Sequence, residues 1–304
     1  MQEFVVLSIL AGAGWAVTNV IDDAVIRIWE LEEFVSVALM SGLSRIFLVP
    51  LFLLLGTLEI PGGTSVIISI IVGGLFFTGT YFYYVALDIG EIVGLSVFSE
   101  SGPIIVLFGS ILLGATLSIL DIIGVVIIVF GAILVSVRIK KLGEIGFRKE
   151  TAWIIAATVC FAFVSLLSDL VASNFNSQLA QISWVWMGTA FSTILYLSVE
   201  QLRSDSSGLT KLKAGLKSDY RVPLLLTIAI IPETTAYIVF FEAIEIGEVA
   251  VSSALSSFRP LFVLVFTLMI PSADTRNLSY RHIFILIIAT ILMIIGGYLT
   301  QATT

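Results

Sequence analysis

Residues 88–91 read Asp-Ile-Gly-Glu, with Pro103 twelve positions after the glutamate, and residues 245–248 read Glu-Ile-Gly-Glu, with Pro260 at the same distance. Over the window 86–107 and its counterpart 157 positions later, nine of twenty-two residues are identical. Self-similarity of this kind in a hydrophobic chain is typical of membrane proteins that contain two copies of one structural unit. The repeat therefore predicts an architecture of two related halves.

The composition of the chain indicates a membrane protein. Of 304 residues, 58% are hydrophobic and 12% are charged, and the mean hydropathy is +1.10. A soluble domain carries roughly twice that share of charge, about 25%. The single cysteine excludes an internal disulfide, and together with the single histidine it argues against a metal site. The net charge of −7 argues against a nucleic-acid partner. We expect no cofactor.

Apolar runs long enough to cross a bilayer recur along the chain. A hydrocarbon core about 30 Å thick needs about 20 apolar residues per helix. Ten segments meet this requirement, at residues 4–27, 34–57, 65–87, 92–114, 118–137, 151–173, 179–200, 222–244, 249–270 and 280–299. We expect an all-α membrane protein with ten transmembrane helices in two five-helix repeats, 1–137 and 151–300, joined by a cytoplasmic linker at 138–150.

The repeat extends to the first segment of each half. Residues 15–25 share with residues 161–171 an aromatic residue followed by Ala16 or Ala162, and an aspartate at Asp23 or Asp169. The offset here is 146 positions, because the loop after the seventh segment is longer than its counterpart. A repeat of five helices places the second copy in the membrane with the opposite orientation, so the sequence predicts an inverted-topology repeat.

The distribution of basic residues predicts the orientation. The loops after segments one, three, five, seven and nine contain thirteen lysines and arginines, whereas the opposite face and both termini contain none. Basic loops face the cytoplasm, so we expect a multi-pass plasma-membrane protein with both termini outside. Tryptophans gather at bilayer interfaces, which predicts Trp29 and Trp153 at one interface and Trp184 and Trp186 at the other. The run from Tyr81 to Tyr84 is also expected in an interfacial belt.

Four ionisable residues lie near the middle of predicted spans: Arg45, Glu100, Glu233 and Arg259. Each charge at a helix centre costs about 2.5–3.5 kcal/mol on insertion scales, so we expect all four to face the bundle interior. Depth along the helices brings Arg45 level with Glu100, and Glu233 level with Arg259. Two interpretations stay open. The residues form two structural ion pairs, or at least one arginine binds an anionic substrate group or one glutamate carries a proton.

Arg259 is the stronger candidate for a substrate-binding residue. It precedes Pro260, and prolines weaken a helix by freeing a backbone carbonyl one turn earlier. Pro103 and Pro232 are the corresponding prolines of the fourth and eighth segments, and we expect helix breaks at all three. Transporters build binding sites at broken helices near mid-membrane. The other candidate site residues are Glu100, Glu233, Arg45, Trp15 and Ser256. Two interpretations of Trp15 stay open: it forms part of a cavity wall, or it takes part in ordinary packing. For the serines the two open interpretations are a polar cavity lining and close helix packing.

Several motifs, taken together, resemble those of a known family. They are the two five-helix repeats, residues 44–47 (Ser-Arg-Ile-Phe), residues 84–91 (Tyr-Val-Ala-Leu-Asp-Ile-Gly-Glu) before Pro103, and residues 120–124 (Leu-Asp-Ile-Ile-Gly) before Gly131. In this combination the chain resembles the EamA-type branch of the drug/metabolite transporter superfamily. The resemblance implies a central cavity lined by the first, third, fourth, sixth, eighth and ninth helices. That cavity would include Trp15, Glu100, Glu233 and Arg259.

The sequence therefore favours a secondary transporter. We expect a protein that moves a small polar metabolite, an amino acid or an organic anion across the bilayer by alternating access. A membrane receptor or scaffold without transport activity is the alternative, and an enzyme is not expected. The fifth and tenth segments are almost entirely aliphatic, so we expect them to face lipid or to form a homodimer contact.

Overall fold

The computed structural model describes residues 3–28, 35–56, 59–89, 99–136, 149–202, 209–210, 212–213, 221–269 and 280–300. These residues form twelve α-helices and one 3₁₀ turn, and no strand occurs among them. The helices are α1 (Glu3–Ile28), α2 (Val35–Ser44), α3 (Leu48–Leu54), α4 (Gly63–Ile89), α5 (Gly102–Leu112), α6 (Ile119–Ser136), α7 (Lys149–Ala172), α8 (Gln178–Leu202), α9 (Arg221–Ile246), α10 (Val249–Ser256), α11 (Arg259–Met269) and α12 (Tyr280–Leu299).

The helices have the length and composition of bilayer-spanning segments. Seven helical stretches in the described residues are long and apolar enough to cross a membrane, and three further apolar helices are shorter. The shorter ones are residues 102–112, 119–134 and 287–299. The protein is thus an all-α membrane protein. Trp29, residues 138–148 of the linker and most basic loop residues used for the orientation lie outside the described residues.

Two predicted segments are interrupted helices. In the second, α2 ends at Ser44 and a 3₁₀ turn formed by Arg45–Phe47 leads into α3. In the ninth, α10 ends at Ser256 and α11 begins at Arg259. The tight turn between them bonds the amide of Ser257 to the Ala254 carbonyl. Both mid-membrane arginines therefore lie where a helix is interrupted.

The packing of the helices joins the two halves of the chain. The first helix, α1, packs along α9, and α4 packs along α7 and α8. The helix α5 contacts α7 and α10, and α6 packs along α12. A central cluster of buried aromatic side chains, including Phe76, Trp186 and Tyr237, lies between these helices. The interior thus consists largely of contacts between residues distant in sequence.

The helices α6 and α12 pack against each other within one chain. A β-carbon added at Gly124 would lie 2.7 Å from the Gly296 carbonyl oxygen, and one added at Gly296 would lie 2.7 Å from that of Gly124. Only glycine permits so close a backbone approach. The opposite faces of these two helices expose large apolar side chains, among them Phe130 and Ile291. Contact between two copies of the chain through these exposed faces remains a prediction.

Candidate substrate-binding site

The first of two interhelical ion pairs joins Arg45 to Glu233. The Arg45 Nη2 lies 2.6 Å from the Glu233 Oε2, and the side chains are 1% and 14% exposed. The Arg45 Nη1 donates to the carbonyl oxygen of Ser41 at 2.6 Å and to its hydroxyl at 2.9 Å. The Arg45 Nε has no hydrogen-bond partner among the described residues. The Arg45 guanidinium is therefore enclosed, and its terminal nitrogens bond to Glu233 and Ser41.

Aromatic rings complete the enclosure of Arg45. Its guanidinium carbon lies 4.4 Å from the centre of the Trp186 ring and 4.9 Å from that of Phe76. Cation–π contacts of this kind are strongest where water is excluded. The Trp186 indole N–H donates to the Thr234 hydroxyl at 2.9 Å. The prediction that Trp186 belongs to an interfacial belt is wrong: it lies fully buried against Arg45, because the arginine offers it a cationic partner inside the bundle.

The second ion pair joins Arg259 to Glu100. The Arg259 Nη2 donates to the Glu100 Oε1 at 2.8 Å, and the two side chains are 30% and 6% exposed. Arg259 begins α11, directly after the turn that interrupts the ninth segment. Of the two arginines, Arg259 therefore has the more exposed side chain.

The pairing differs from the one that helix depth predicted. Equal depth favoured Arg45 with Glu100 and Arg259 with Glu233, whereas the structure pairs Arg45 with Glu233 and Arg259 with Glu100. The depth prediction is wrong because it compared positions along the helix axes, and the partners are set by which helices face each other. Both observed pairs connect an early residue to a late one, at separations of 188 and 159 positions.

The three prolines differ in their effect on the helices. Pro103 lies in the first turn of α5, and Pro260 lies in the first turn of α11. Proline is tolerated there because the amide that it lacks has no partner within the helix. Pro232 lies inside α9, which runs without interruption from Arg221 to Ile246. The predicted helix break at Pro232 is therefore absent.

Trp15 belongs to the aromatic cluster beside the ion pairs. Its ring lies 5.0 Å from that of Tyr237 and 5.3 Å from that of Phe240, centre to centre. The Trp15 indole N–H is buried and has no hydrogen-bond partner among the described residues. Buried polar groups are normally hydrogen-bonded, so this donor is available to a ligand or a water molecule.

Ser256 lies at the end of α10, where α1 approaches the interrupted helix. Its hydroxyl donates to the Ser253 carbonyl at 2.7 Å, inside its own helix. A β-carbon added at Gly12 would lie 2.5 Å from the Ser256 carbonyl oxygen and 3.4 Å from the Arg259 amide nitrogen. The contribution of Ser256 to this region is thus its backbone, against which α1 packs closely.

Tyr237 is a site residue that the sequence interpretation missed. It lies four positions after Glu233, on the same face of α9, and this spacing was the available signal. The side chain is buried. It interacts electrostatically with Glu233, Arg45 and Arg259. Tyr237 therefore interacts with members of both ion pairs.

A hydrogen bond between Asp22 and Tyr84 was also not foreseen. The Tyr84 hydroxyl donates to the Asp22 Oδ2 at 3.2 Å and joins α4 to α1. Tyr84 is buried, so its assignment to an interfacial belt is wrong; the acid on α1 gives its hydroxyl a partner inside the bundle. The bond makes Asp22 part of the packing between α1 and α4.

Comparisons with known proteins agree with this architecture. Residues 3–137 match the sequence model of the EamA-like transporter family. The resemblance to EamA-type transporters is thereby confirmed. One solved crystal structure superposes on 99% of this chain and 97% of its own chain, with a TM-score of 0.71 and 18% sequence identity. A search of the curated proteins finds no match.

The apolar helices are those of a membrane protein, and over residues 3–137 the chain is similar to the EamA-like transporter family. The solved structure is similar in fold over nearly the whole chain, so the second half has the overall arrangement of a known protein although the family match covers the first half.

Proposed function

We propose that this EamA-like protein is a secondary transporter that moves a small organic anion, or an amino acid through its carboxylate, by alternating access. Arg259 receives the anionic group, and Glu100 holds the arginine when no substrate is bound. The observation that carries this proposal is the accessibility of Arg259, which is 30% exposed within a pair whose glutamate is 6% exposed. The plasma membrane, with the basic loops cytoplasmic and both termini outside, is the proposed location.

An inverted repeat of five helices per half, 1–137 and 151–300, is part of the proposal. Its support is the symmetry of the helix contacts. The contact between α1 and α9 joins the first and eighth predicted segments, and that between α4 and α7 joins the third and sixth. If the two halves are exchanged, segment one takes the place of segment six and segment three that of segment eight, so each of these contacts becomes the other. The contacts α5–α10 and α6–α12 join the fourth segment to the ninth and the fifth to the tenth, so the exchange leaves each of them unchanged.

Arginine chemistry favours a carboxylate or phosphate as the group that Arg259 binds. The planar guanidinium offers parallel donors that match two oxygens of such an anion. Because the Glu100 Oε1 already accepts from Nη2, an anionic substrate competes with Glu100 for the same donor. Arg45 does not serve this role, since Trp186, Phe76, Ser41 and Glu233 occupy its surroundings.

The ion pairs also suggest how the halves move. Both pairs join the proposed first half to the second, so rocking of one half against the other changes their geometry. An enclosed pair such as Arg45–Glu233 resists separation, because each charge would be left without a partner in a low-dielectric interior. We therefore propose that the Arg45–Glu233 pair stays intact at the point about which the halves rock, and that the Arg259–Glu100 pair opens to bind the substrate.

A thermal-shift screen tests the anion-receptor proposal. The purified wild type, Arg259→Ala and Lys213→Ala are exposed to amino acids, organic acids and nucleosides. A ligand that binds the folded state raises its melting temperature. We expect an anionic compound to stabilise the wild type and the control Lys213→Ala, whose side chain is exposed outside the site, but not Arg259→Ala. Equal stabilisation of a folded Arg259→Ala would show the proposal to be wrong.

Flux measurements then test transport itself. The compound identified by the screen is loaded into proteoliposomes that contain the wild type or Arg259→Ala. We expect saturable exchange for the wild type and a loss of at least tenfold for the variant. Ion leak that is independent of the compound would indicate a channel in place of a transporter.

A further inference from the structure

Asp22 is an acid near the ion pairs that neither arginine binds directly. It lies partly buried on α1, within the predicted span of residues 3–22. Its carboxylate accepts a hydrogen bond from the Tyr84 hydroxyl. It also interacts electrostatically with Glu233 on α9 and with Arg45 in the 3₁₀ turn. Asp22 is therefore a second carboxylate beside the Arg45–Glu233 pair.

The charges in this cluster do not balance. Two carboxylates, Asp22 and Glu233, share the surroundings of one cation, Arg45. The donors on the two terminal nitrogens of Arg45 point to Ser41 and Glu233. The partner of Asp22 among the described residues is the neutral hydroxyl of Tyr84. Two like charges in a low-dielectric site disfavour each other's ionisation, so one bound proton makes the cluster neutral.

We propose that Asp22 is the proton-binding residue of the transporter, and that this proton is the coupling ion. The proposal rests on the proposed function only for the coupling. Protonation converts the Asp22 carboxylate to a neutral acid while Glu233 stays ionised against Arg45, 2.6 Å away. Release of the proton restores the carboxylate, and the unpartnered Arg45 Nε is the donor available to compensate it.

The groups around the pair suggest how proton and substrate communicate. Tyr84 on α4 and Glu233 on α9 face Asp22, and Arg45 faces both acids. Tyr237 interacts with Glu233 and Arg45 on one side and with Arg259 on the other. A change of charge at Asp22 therefore alters the field around Glu233 and Arg45, which Tyr237 connects electrostatically to the arginine assigned to the substrate.

Infrared spectroscopy of the full-length protein in lipid nanodiscs tests this site without a substrate. A protonated carboxylic acid has a carbonyl absorption distinct from that of a carboxylate. We expect the wild type to show this band at neutral pH and Asp22→Asn to lack it. Asp121→Asn is the matched control. The Asp121 carboxylate accepts from the Ser118 amide at 2.9 Å in a cap at the start of α6 and is not among the groups that interact with Asp22, so this variant should keep the band.

A second variant, Tyr84→Phe, removes the hydroxyl that donates a hydrogen bond to Asp22. Since a hydrogen bond shifts a carbonyl band, we expect the frequency to change in Tyr84→Phe while the band persists. Absence of the band in the wild type, or its persistence in Asp22→Asn, would overturn the proposal. If Asp22→Asn does not fold, an unchanged frequency in Tyr84→Phe overturns it instead. The result is independent of the anion screen: failure of that screen with the band present would refute the substrate assignment and leave the proton site standing.

Discussion

Replacement of Arg45 by methionine tests whether the more buried arginine contributes more to the stability of the fold than Arg259 does. Methionine keeps an unbranched apolar side chain in the space between Phe76 and Trp186 and removes the charge. The substitution abolishes the ion pair to Glu233, two hydrogen bonds to Ser41 and both cation–π contacts. Arg259→Met is the matched comparison, because it removes the same group from a pair that is more accessible.

The expected magnitudes follow from the exposure of each pair. Loss of one partner of a buried ion pair costs about 3–5 kcal/mol, because the other charge stays buried. Uptake of a proton by Glu233 limits that cost, so we expect a loss of about 3 kcal/mol for Arg45→Met. The Glu100 carboxylate is itself buried, but water can reach the space beside it where Arg259 is 30% exposed, so we expect a smaller loss of about 1–2 kcal/mol for Arg259→Met. The first value changes the unfolding equilibrium by roughly 100-fold, since 1.4 kcal/mol corresponds to a factor of ten.

Reversible denaturant unfolding of the two purified variants in mixed micelles measures the difference. The double variant Arg45→Met with Glu233→Met serves as a further control, since exchange of a whole buried pair for apolar residues is often neutral or stabilising. We expect the double variant to recover most of the lost stability. Equal losses in Arg45→Met and Arg259→Met, or a larger loss in Arg259→Met, would refute the distinction between an enclosed and an accessible arginine.

Two further predictions concern the helix contact and the topology. Gly12→Ala should lower the free energy of unfolding by about 1–3 kcal/mol in the same assay, because the new methyl group would lie 2.5 Å from the Ser256 carbonyl oxygen. Gly62→Ala, where a β-carbon meets no atom within 4 Å, should stay within about 0.5 kcal/mol of the wild type, and an equally small loss for Gly12→Ala would contradict the close contact. A periplasmic-type enzyme reporter fused after Thr304 should be active outside the cytoplasm, and activity of a cytoplasmic reporter there would show the orientation to be reversed.

The sequence predicted the class of fold and singled out four charged residues more reliably than it predicted their neighbours. Membrane helices are recognisable because apolar composition is a local property of about 20 residues, and the EamA-like motifs are likewise local. The cost of a charge in a bilayer correctly directed attention to Arg45 and Arg259. Depth, however, could not identify their partners. The preference of tryptophan and tyrosine for bilayer interfaces likewise misplaced Trp186 and Tyr84, which pack against Arg45 and Asp22.

Local chemistry therefore accounts for the helices, the repeated unit and the presence of two acids and two bases in the membrane. The choice of partners depended on tertiary packing, because the paired residues lie 188 and 159 positions apart and meet only when α9 and α11 pack against the first half. The same packing encloses Arg45 between two aromatic rings and leaves Arg259 accessible at the start of a helix. Two arginines that are equivalent by composition and depth thus acquire different roles through the side chains that surround them.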